Sequence, residues 1–497
     1  MASKTALKTE GSGVRPRPPI VVVMGHVDHG KTTLLDYIRK ASVAAREAGG
    51  ITQAVGAYEI EHVPAAGGAP RKITFIDTPG HEAFSAMRAR GATAADLAIL
   101  VVAADEGVKP QTREAIKILE DAKTPFVVAL NKIDKAAPGA VEKAKADLAA
   151  AGVLVEGFGG QVSWQGISAK TGEGVGELLD LVLLTADMEE LTYDPSAPAT
   201  GYVLEARRDP RRGIEASVIV REGTLRRGDA VATASARGKV KILEDFLEKT
   251  VNELEPSAPA VVIGFETLPK VGEEFSVGGP PGAATKAVVK EDRASIGKSQ
   301  KNAFNITLKA GDAGSLEVLS SILKNIDPKG GKTLNIIEES VGEVTDGDVR
   351  LAQATGAVII GFKNRVEKGA RTLAEAQDIT IITSGIVYDL VDAVEEFLSG
   401  KRGPAAAGTL EVLAVFNQEK TEKQLVGGRV IEGVFRAKAG AEILRGAGHP
   451  EPVGVGRIMS LREKKAEIVQ AEKGKEIGVI VNSAVVLQAG DTLVIRK

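Results

Sequence analysis

The sequence predicts a multidomain α/β protein: a doubly wound, mostly parallel sheet, a β-barrel, an α/β/α sandwich and a second β-barrel. Three observations predict it. The chain has 497 residues, more than one hydrophobic core organises. From Pro18 to Leu191, short Val- and Ile-rich runs alternate with helical patterns, as in a sheet buried on both faces. Two later stretches alternate apolar and polar positions between turn signals, the pattern of small barrels, and an α/β pattern returns between them.

The elements follow in order. Residues 1–17 are small, basic and Pro-rich, with Glu10 among them. They lack the apolar stretch of a secretory signal and read as a disordered leader, a short cleaved organelle peptide being the alternative. Within 18–191, Ile20–Met24, Ile73–Ile76, Leu97–Ala103 and Phe126–Leu130 read as buried parallel strands, and Arg113–Ala122 and Val141–Ala150 as crossover helices. Leu191–Thr200 holds Pro195 and Pro198 and reads as a linker. The barrel spans 199–280, with turn signals at Asp209-Pro210 and Arg227-Gly228-Asp229. Gly278–Ser299 links it to the α/β/α unit of 300–400, where Gly314–Ile326 reads as a helix, Ala357–Gly361 as a buried strand and Leu390–Leu398 as a closing helix ending at Gly400. Lys401–Gly408 is another break. The second barrel, 408–497, has a mild basic bias, with 14 Lys and Arg against 11 Asp and Glu from Thr409 onward.

Composition sets limits. Hydrophobic residues at 43% and charged residues at 26% are the ordinary balance of a soluble globular protein. Cysteine is absent, which excludes disulfides and Cys-based zinc sites and fits a reducing cytosol. No apolar run reaches the ~18 residues of a membrane span. A net charge of −3 neither supports nor excludes an RNA partner. Aromatics at 4% argue against wide platforms for stacked bases.

The chemistry is carried by spaced motifs. Gly25-His26-Val27-Asp28-His29-Gly30-Lys31-Thr32 matches G-x-x-x-x-G-K-[ST] between a strand and a helix. Its glycines let backbone N–H groups face a β-phosphate, and the helix start near Lys31 adds its positive end. Lys31 reaches the β- and γ-phosphates, the Thr32 hydroxyl ligates Mg²⁺, and Thr33 belongs to the same cradle. In Asp77-Thr78-Pro79-Gly80, Asp77 holds Mg²⁺ through water and the Gly80 N–H meets the γ-phosphate. In Asn131-Lys132-Ile133-Asp134, the Asp134 carboxylate accepts from guanine N1–H and N2–H. Adenine offers no such pair, so the expected nucleotide is GTP or GDP. Asn131 ties this loop to the phosphate loop, and Lys132 lies in the same base-facing turn. Ser168-Ala169-Lys170 closes the base pocket, the Ala169 N–H directed at guanine O6.

His81 directly follows Gly80 and is the expected catalytic residue, orienting the attacking water where other GTPases use Gln. His26 and His29 shape the loop. Gly49-Gly50-Ile51-Thr52 sits where a mobile switch belongs, and Thr52 ligates Mg²⁺ only when the γ-phosphate holds the segment. Val27 and Ile51 form an apolar gate beside His81.

On these residues the chain resembles bacterial translation initiation factor two, the initiation member of the translational GTPases. The run from Gly49 to Tyr58 is particularly close to that family, and other translational GTPases share Asp77–His81 but not the whole run. Gly223–Asp229 resembles the family's second-domain barrel. Gly314–Glu317 with Ala357–Phe362 resembles its third domain, and the last barrel its tRNA-binding domain. On this resemblance, the chain is expected to lack the long N-terminal extension common in the family.

The resemblance implies a factor that brings formylmethionyl initiator tRNA to the small ribosomal subunit with GTP. It then promotes joining of the large subunit and leaves after hydrolysis. It implies a cytoplasmic monomer, with rRNA and initiator tRNA as partners and no membrane contact. The carry-over names Gly428, Arg429, Arg462, Lys465, Glu476 and Gly478 as tRNA-binding candidates. Departures stand among them. The family's usual Cys is replaced by Gly428 and by Ile477, its usual Arg by Glu463, and the aromatic or a nearby residue by Lys464. A carboxylate at Glu463 cannot donate to a formyl oxygen or a phosphate. Two alternatives stay open: another translational GTPase delivering a special tRNA, and a non-hydrolysing GTP-dependent ribosome or RNA scaffold.

Overall fold

The computed structural model describes residues 13–39, 56–80, 82–279, 303–326, 333–398, 406–417, 424–437, 439–445, 451–463, 466–483 and 485–496. They fall into two compact units, one up to residue 391 and one from residue 392.

The first unit opens with β1 (Arg15–Pro16), β2 (Ile20–Gly25), α1 (Lys31–Arg39), β3 (Gly56–His62), β4 (Arg71–Asp77), α2 (Ser85–Ala94), β5 (Leu97–Ala103) and α3 (Pro110–Ala122). It continues through β6 (Phe126–Asn131), α4 (Ala140–Ala150), β7 (Trp164–Gly166), α5 (Val175–Met188) and β8 (Thr192–Tyr193). The central sheet is six-stranded in the order β3-β4-β2-β5-β6-β7, parallel except for the edge strand β3. Successive residues of β2 alternate between two cores. Val22 and Met24 pack with α2, α3 and α4 through Ala92, Leu119 and Leu148. Val21 and Val23 pack with α1 and α5 through Leu34, Leu178 and Val182. Burial on both faces is why these strands read as unbroken apolar runs.

Residues 15–17 correct the leader. Arg15–Pro16 pair with Thr192–Tyr193 as β1 and β8. Arg17 grips Asp96 with both guanidinium arms at 2.6 and 2.7 Å. Asp96 also accepts the Ile20 N–H at 2.8 Å and pairs with Arg221 of the following barrel at 3.2 Å.

That barrel is made of β9 (Thr200–Asp209), β10 (Gly213–Glu222), β12 (Ala230–Ala232), β13 (Arg237–Asp245), β15 (Pro259–Phe265) and β16 (Glu274–Val277). They close in the order β10-β15-β13-β12-β16-β9, and a small ribbon of β11 (Leu225–Arg226) and β14 (Glu253–Leu254) lies beside them. Its core includes Val218, Val240 and Phe275.

The third part holds β17 (Ala303–Ala310), α6 (Ala313–Lys324), β18 (Thr333–Val341), α7 (Asp346–Thr355), β19 (Val358–Phe362), α8 (Lys368–Ala376), β20 (Ile381–Ser384) and α9 (Val387–Leu398). Its four-stranded sheet is parallel, in the order β18-β17-β19-β20. Asp312 caps α6 by accepting the Ser315 N–H at 2.6 Å.

The second unit takes in the end of α9 from residue 392 and an antiparallel sheet closed on itself. Strands β21 (Ala406–Asn417), β22 (Gln424–Arg436), β23 (Gly440–Arg445), β24 (Glu451–Glu463), β27 (Glu476–Ser483) and β28 (Thr492–Arg496) run in the order β21-β28-β23-β24-β27-β22, and a β21–β22 pairing completes the ring. Two short strands, β25 (Ala466–Ile468) and β26 (Gln470–Glu472), flank it. Leu410, Val426, Ile458 and Val479 are among its core residues. Among the described residues no helix is long and apolar enough to cross a membrane.

Candidate functional site

The parallel strands β2, β4 and β6 end together, and their carboxyl ends carry the motif loops. This is where open α/β sheets bind ligands. Gly25, at φ +144°, ends β2, and a Cβ there would run into the Val101 carbonyl. Asp28 (φ 63°) and Gly30 (φ +90°) also take left-handed conformations, so the loop curls before α1 begins at Lys31. Thr32 and Thr33 lie in the first turn of α1, at the positive end of the helix.

Lys31 is 7% exposed. Its Nζ donates to the carbonyls of Gly25 at 2.9 Å and His26 at 2.6 Å. Burial pulls its pKa down to about 8, while Asp77 and Asp28 oppose the shift and Arg88 adds to it. His29 is fully buried. Its Nδ1 accepts the Ala103 N–H at 3.2 Å, and its ring lies edge-on to His26 at 5.0 Å. Burial, then His26, pushes its pKa to about 4, so it is a neutral wedge beneath the loop at pH 7.

Asp77 ends β4 and is 7% exposed. The next residue is anchored, the Thr78 hydroxyl donating to the Val23 carbonyl at 3.0 Å. A Cβ on Gly80 would run into Lys31 Nζ and lie 3.4 Å from Val27 Cγ2. The Gly80 backbone therefore sits directly over the lysine.

Asn131 joins the two halves. Its Nδ2 donates to the His29 carbonyl at 2.8 Å, and its Oδ1 accepts the Ala169 N–H at 2.9 Å. The Ala169 N–H, expected at guanine O6, is thus engaged by Asn131 in this structure. The Ser168 hydroxyl donates to Asp134 Oδ1 at 2.8 Å, which orients that carboxylate. Lys132 takes φ 67° and pairs with Glu106 at 3.0 Å. Lys170 is exposed at the rim. The expected catalytic His81, and Thr52 with the rest of 49–54, lie outside the described residues.

The groups present fit a nucleoside triphosphate with Mg²⁺. A Cβ at Gly30 would run into Asn131 Nδ2 and one at Gly80 into Lys31 Nζ, so backbone approaches these groups closely at both places. Thr32 and Asp77 supply a hydroxyl and a carboxylate. Mg²⁺ needs few protein oxygens when phosphates and water fill its other positions.

Sequence reasoning missed three residues here. Gln111 Oε1 accepts the Val27 N–H at 2.9 Å. Arg88 donates to the Pro79 carbonyl at 3.0 Å and to Glu114 at 2.6 Å. None belongs to a contiguous motif. The only available signal was the i, i+3 spacing of Gln111 and Glu114 on one helix face.

In the second unit, Arg429, Glu476, Gly478 and Arg462 come together on adjacent strands, with Arg429 opposite Glu476 and Gly478 opposite Arg462. Arg429 pairs with Glu476 at 2.6 Å, and Lys475 with Glu463 at 3.1 Å. Gly428 is a correction. It is buried, and a Cβ there would run into Leu410 and the Glu411 carbonyl. Its cross-strand partner Ile477 is 4% exposed. Both departures from the family's Cys pattern therefore face the core, a larger residue opposite a smaller one, and the volume is roughly conserved. Gly428 is not a surface contact; Gly427 occupies the outward position, beside the exposed Phe416. Lys464 and Lys465 lie outside the described residues.

Three family models match. "Elongation factor Tu GTP binding domain" covers residues 17–187, "Elongation factor G domain 2" residues 198–278, and "Translation-initiation factor 2" residues 282–395. The chain is 40% identical over 519 residues to the chloroplastic translation initiation factor IF-2 of Euglena gracilis, covering 99% of this chain and 62% of that protein. It is 38% identical to translation initiation factor IF-2 of Rubrobacter xylanophilus, covering 96% of this chain and 71% of that protein. A solved structure of GDP-bound aIF5B from Aeropyrum pernix matches at 27% identity and a TM-score of 0.44, over 97% of this chain and 92% of that one.

Proposed function

The chain belongs to the translation initiation factor IF-2 family, and from that premise we propose that it is a ribosome-stimulated GTPase of initiation. It brings formylmethionyl initiator tRNA to the small subunit in the cytoplasm, promotes subunit joining, and leaves when GTP is hydrolysed. The observation that supports the reading best is the double link made by Asn131. It holds the phosphate loop at His29 and the base loop at Ala169 in one continuous site.

In this reading Lys31 leaves the loop carbonyls for the β- and γ-phosphate oxygens, and the Gly80 N–H meets the γ-phosphate. Asp134, oriented by Ser168, accepts from the guanine edge, and Ala169 shares its N–H between Asn131 and guanine O6. Thr32, Asp77 and Thr52 would hold Mg²⁺, which when bound neutralises charge on the phosphates. His81 orients a water in line with the γ-phosphorus. The water oxygen bonds to phosphorus and the bond to the β,γ-bridging oxygen breaks, giving GDP and inorganic phosphate. Hydrolysis then frees Thr52 and Gly80 from their contacts and both segments relax. No residue outside these motifs reads in the sequence as a built-in arginine finger, so turnover is slow alone and fast on the ribosome.

The outward face of β22, β24 and β27, with Arg429, Arg462, Glu476 and Gly478, is the surface we assign to the aminoacyl end of initiator tRNA. Lys465 is assigned the same role from its place in the sequence alone.

Two measurements test this. Calorimetry with Mg²⁺ should give saturable heats for both GDP and GTP, and none for ATP. Filter binding should favour initiator tRNA, and the formylated form most, over elongator tRNAs. Equal retention of all tRNAs would remove the initiation role and leave the GTPase.

A further inference from the structure

We propose that Arg88 and Glu114 are positioning residues for GTP hydrolysis, fixing the direction in which the Pro79–Gly80 peptide presents its N–H. The inference rests on the GTPase reading above and concerns groups outside its motifs.

Arg88 is 1% exposed, the largest fully buried side chain of the described residues. A guanidinium at such depth is costly unless its donors are matched. Two of its partners are the Pro79 carbonyl at 3.0 Å and Glu114 Oε1 at 2.6 Å. The Pro79 carbonyl and the Gly80 N–H belong to one planar trans peptide, so they point in opposite directions. Holding the oxygen toward Arg88 therefore aims the N–H away from it. Proline leaves the preceding peptide without a donor, so this carbonyl is the handle by which the segment is turned.

One turn earlier on α3, Gln111 accepts the Val27 N–H at 2.9 Å. Val27, like Lys31 a phosphate-loop residue, comes close to Gly80, its Cγ2 lying 3.4 Å from where a Gly80 Cβ would be. The two walls of the γ-phosphate end are thus hung from one helix face, at Gln111 and Glu114. That helix is fixed to the sheet by Ala115, Ile116 and Leu119. The walls keep their spacing because both hang from the same rigid element.

The test uses the full chain with ribosomes and three variants: Arg88→Lys, Glu114→Gln, and the double Arg88→Met/Glu114→Leu. The double variant fills the space with apolar groups, a replacement that often leaves a buried pair's fold intact. Thermal melting identifies the folded variants. GDP affinity should stay at the wild-type value in each, because GDP does not reach Gly80. Affinity for a non-hydrolysable GTP analogue should fall about tenfold, the worth of one hydrogen bond to a charged group. Ribosome-stimulated kcat should fall further, by about 10²-fold in Arg88→Lys and in the double variant, the effect of a misplaced group. A general loss of structure would lower GDP and GTP affinity together. Wild-type kcat and an unchanged GTP-to-GDP affinity ratio in any folded variant overturn the proposal. If Arg88→Lys does not fold, Glu114→Gln and the double variant decide it on the same criteria. A wild-type chain without ribosome-stimulated hydrolysis overturns the GTPase reading and this role with it. Normal wild-type turnover with unimpaired variants overturns this role alone.

Discussion

Asp134 and Lys31 make the sharpest demands on single residues. The Asp134 carboxylate is oriented by the Ser168 hydroxyl at 2.8 Å, and its value for guanine lies in accepting two N–H groups. Asp134→Asn replaces one acceptor with a donor. GDP affinity should fall by about 10²-fold, as expected when a site's paired polar groups are mismatched, and xanthosine diphosphate should bind better than GDP. Calorimetric titration of both nucleotides checks this, and unchanged GDP binding would misplace the base pocket. Lys31 gives a pH dependence. Burial lowers its pKa to about 8 in the nucleotide-free chain, whereas a bound polyanion favours the charged ammonium. Below pH 8 the charge is already present. Above it the free protein loses the proton and must regain it on binding, so GDP affinity falls by up to about tenfold per pH unit. Titrations between pH 7 and 9, in buffers of different protonation enthalpy, should show proton uptake only at the upper end. A flat profile would mean that Lys31 does not meet the phosphates.

At the scale of elements, the sequence was most legible where burial was two-sided. Leu97–Ala103 was bounded as β5 because every residue of it is buried. Helix α3 begins at Pro110, ahead of the expected Arg113, because proline suits the first helical turn, where its missing N–H costs nothing. Strand β19 begins at Val358 because Ala357 still closes α7, its N–H donating to the Ala352 carbonyl past the left-handed Gly356. Edge strand β3 was not foreseen: Glu59 and Glu61 interrupt its apolar pattern, and one of its faces is only partly covered. The phosphate and base loops could be read because each is contiguous. Arg88, Gln111 and Glu114 could not, because their use depends on which helix lies against which loop.

The junction of the first barrel with α6 belongs to this scale too. Glu205 of β9 accepts the N–H groups of Gly314 at 3.0 Å and Ala206 at 2.9 Å. Burial, then Asp312, raises its pKa from 4.5 to about 8. The folded chain therefore keeps a proton that the unfolded chain releases, and stability falls as pH rises from about 4.5 toward 8, by at most ~1.4 kcal/mol per pH unit. Glu205→Gln keeps the acceptor without the titration. Its melting temperature should exceed that of wild type at pH 8 and match it at pH 5. Parallel curves across that range would remove the carboxyl from the account.

For the whole molecule, the division near residue 391 separates the nucleotide loops from the last barrel. All the nucleotide-site groups named above lie in the first unit. A chain ending at residue 400 keeps all of them and should therefore bind GDP within about twofold of the full chain, as groups in independent units contribute additively, and lose its preference for initiator tRNA. A large loss of GDP affinity would show that the units are energetically coupled. Inside the first unit the opposite logic holds at Asp96, where Arg17, Arg221 and the Ile20 amide converge on one buried carboxylate. Contacts on a single anion cannot be lost one at a time without changing the others. A protease that clips ahead of Pro18 leaves every nucleotide-binding group in place. It also removes Arg17 from Asp96, leaving that carboxylate to the Ile20 amide and Arg221, and takes away the bond from Arg17 to Ser257 of the barrel at 3.3 Å, so the clipped protein should read GTP normally while its barrel becomes easier to pry away.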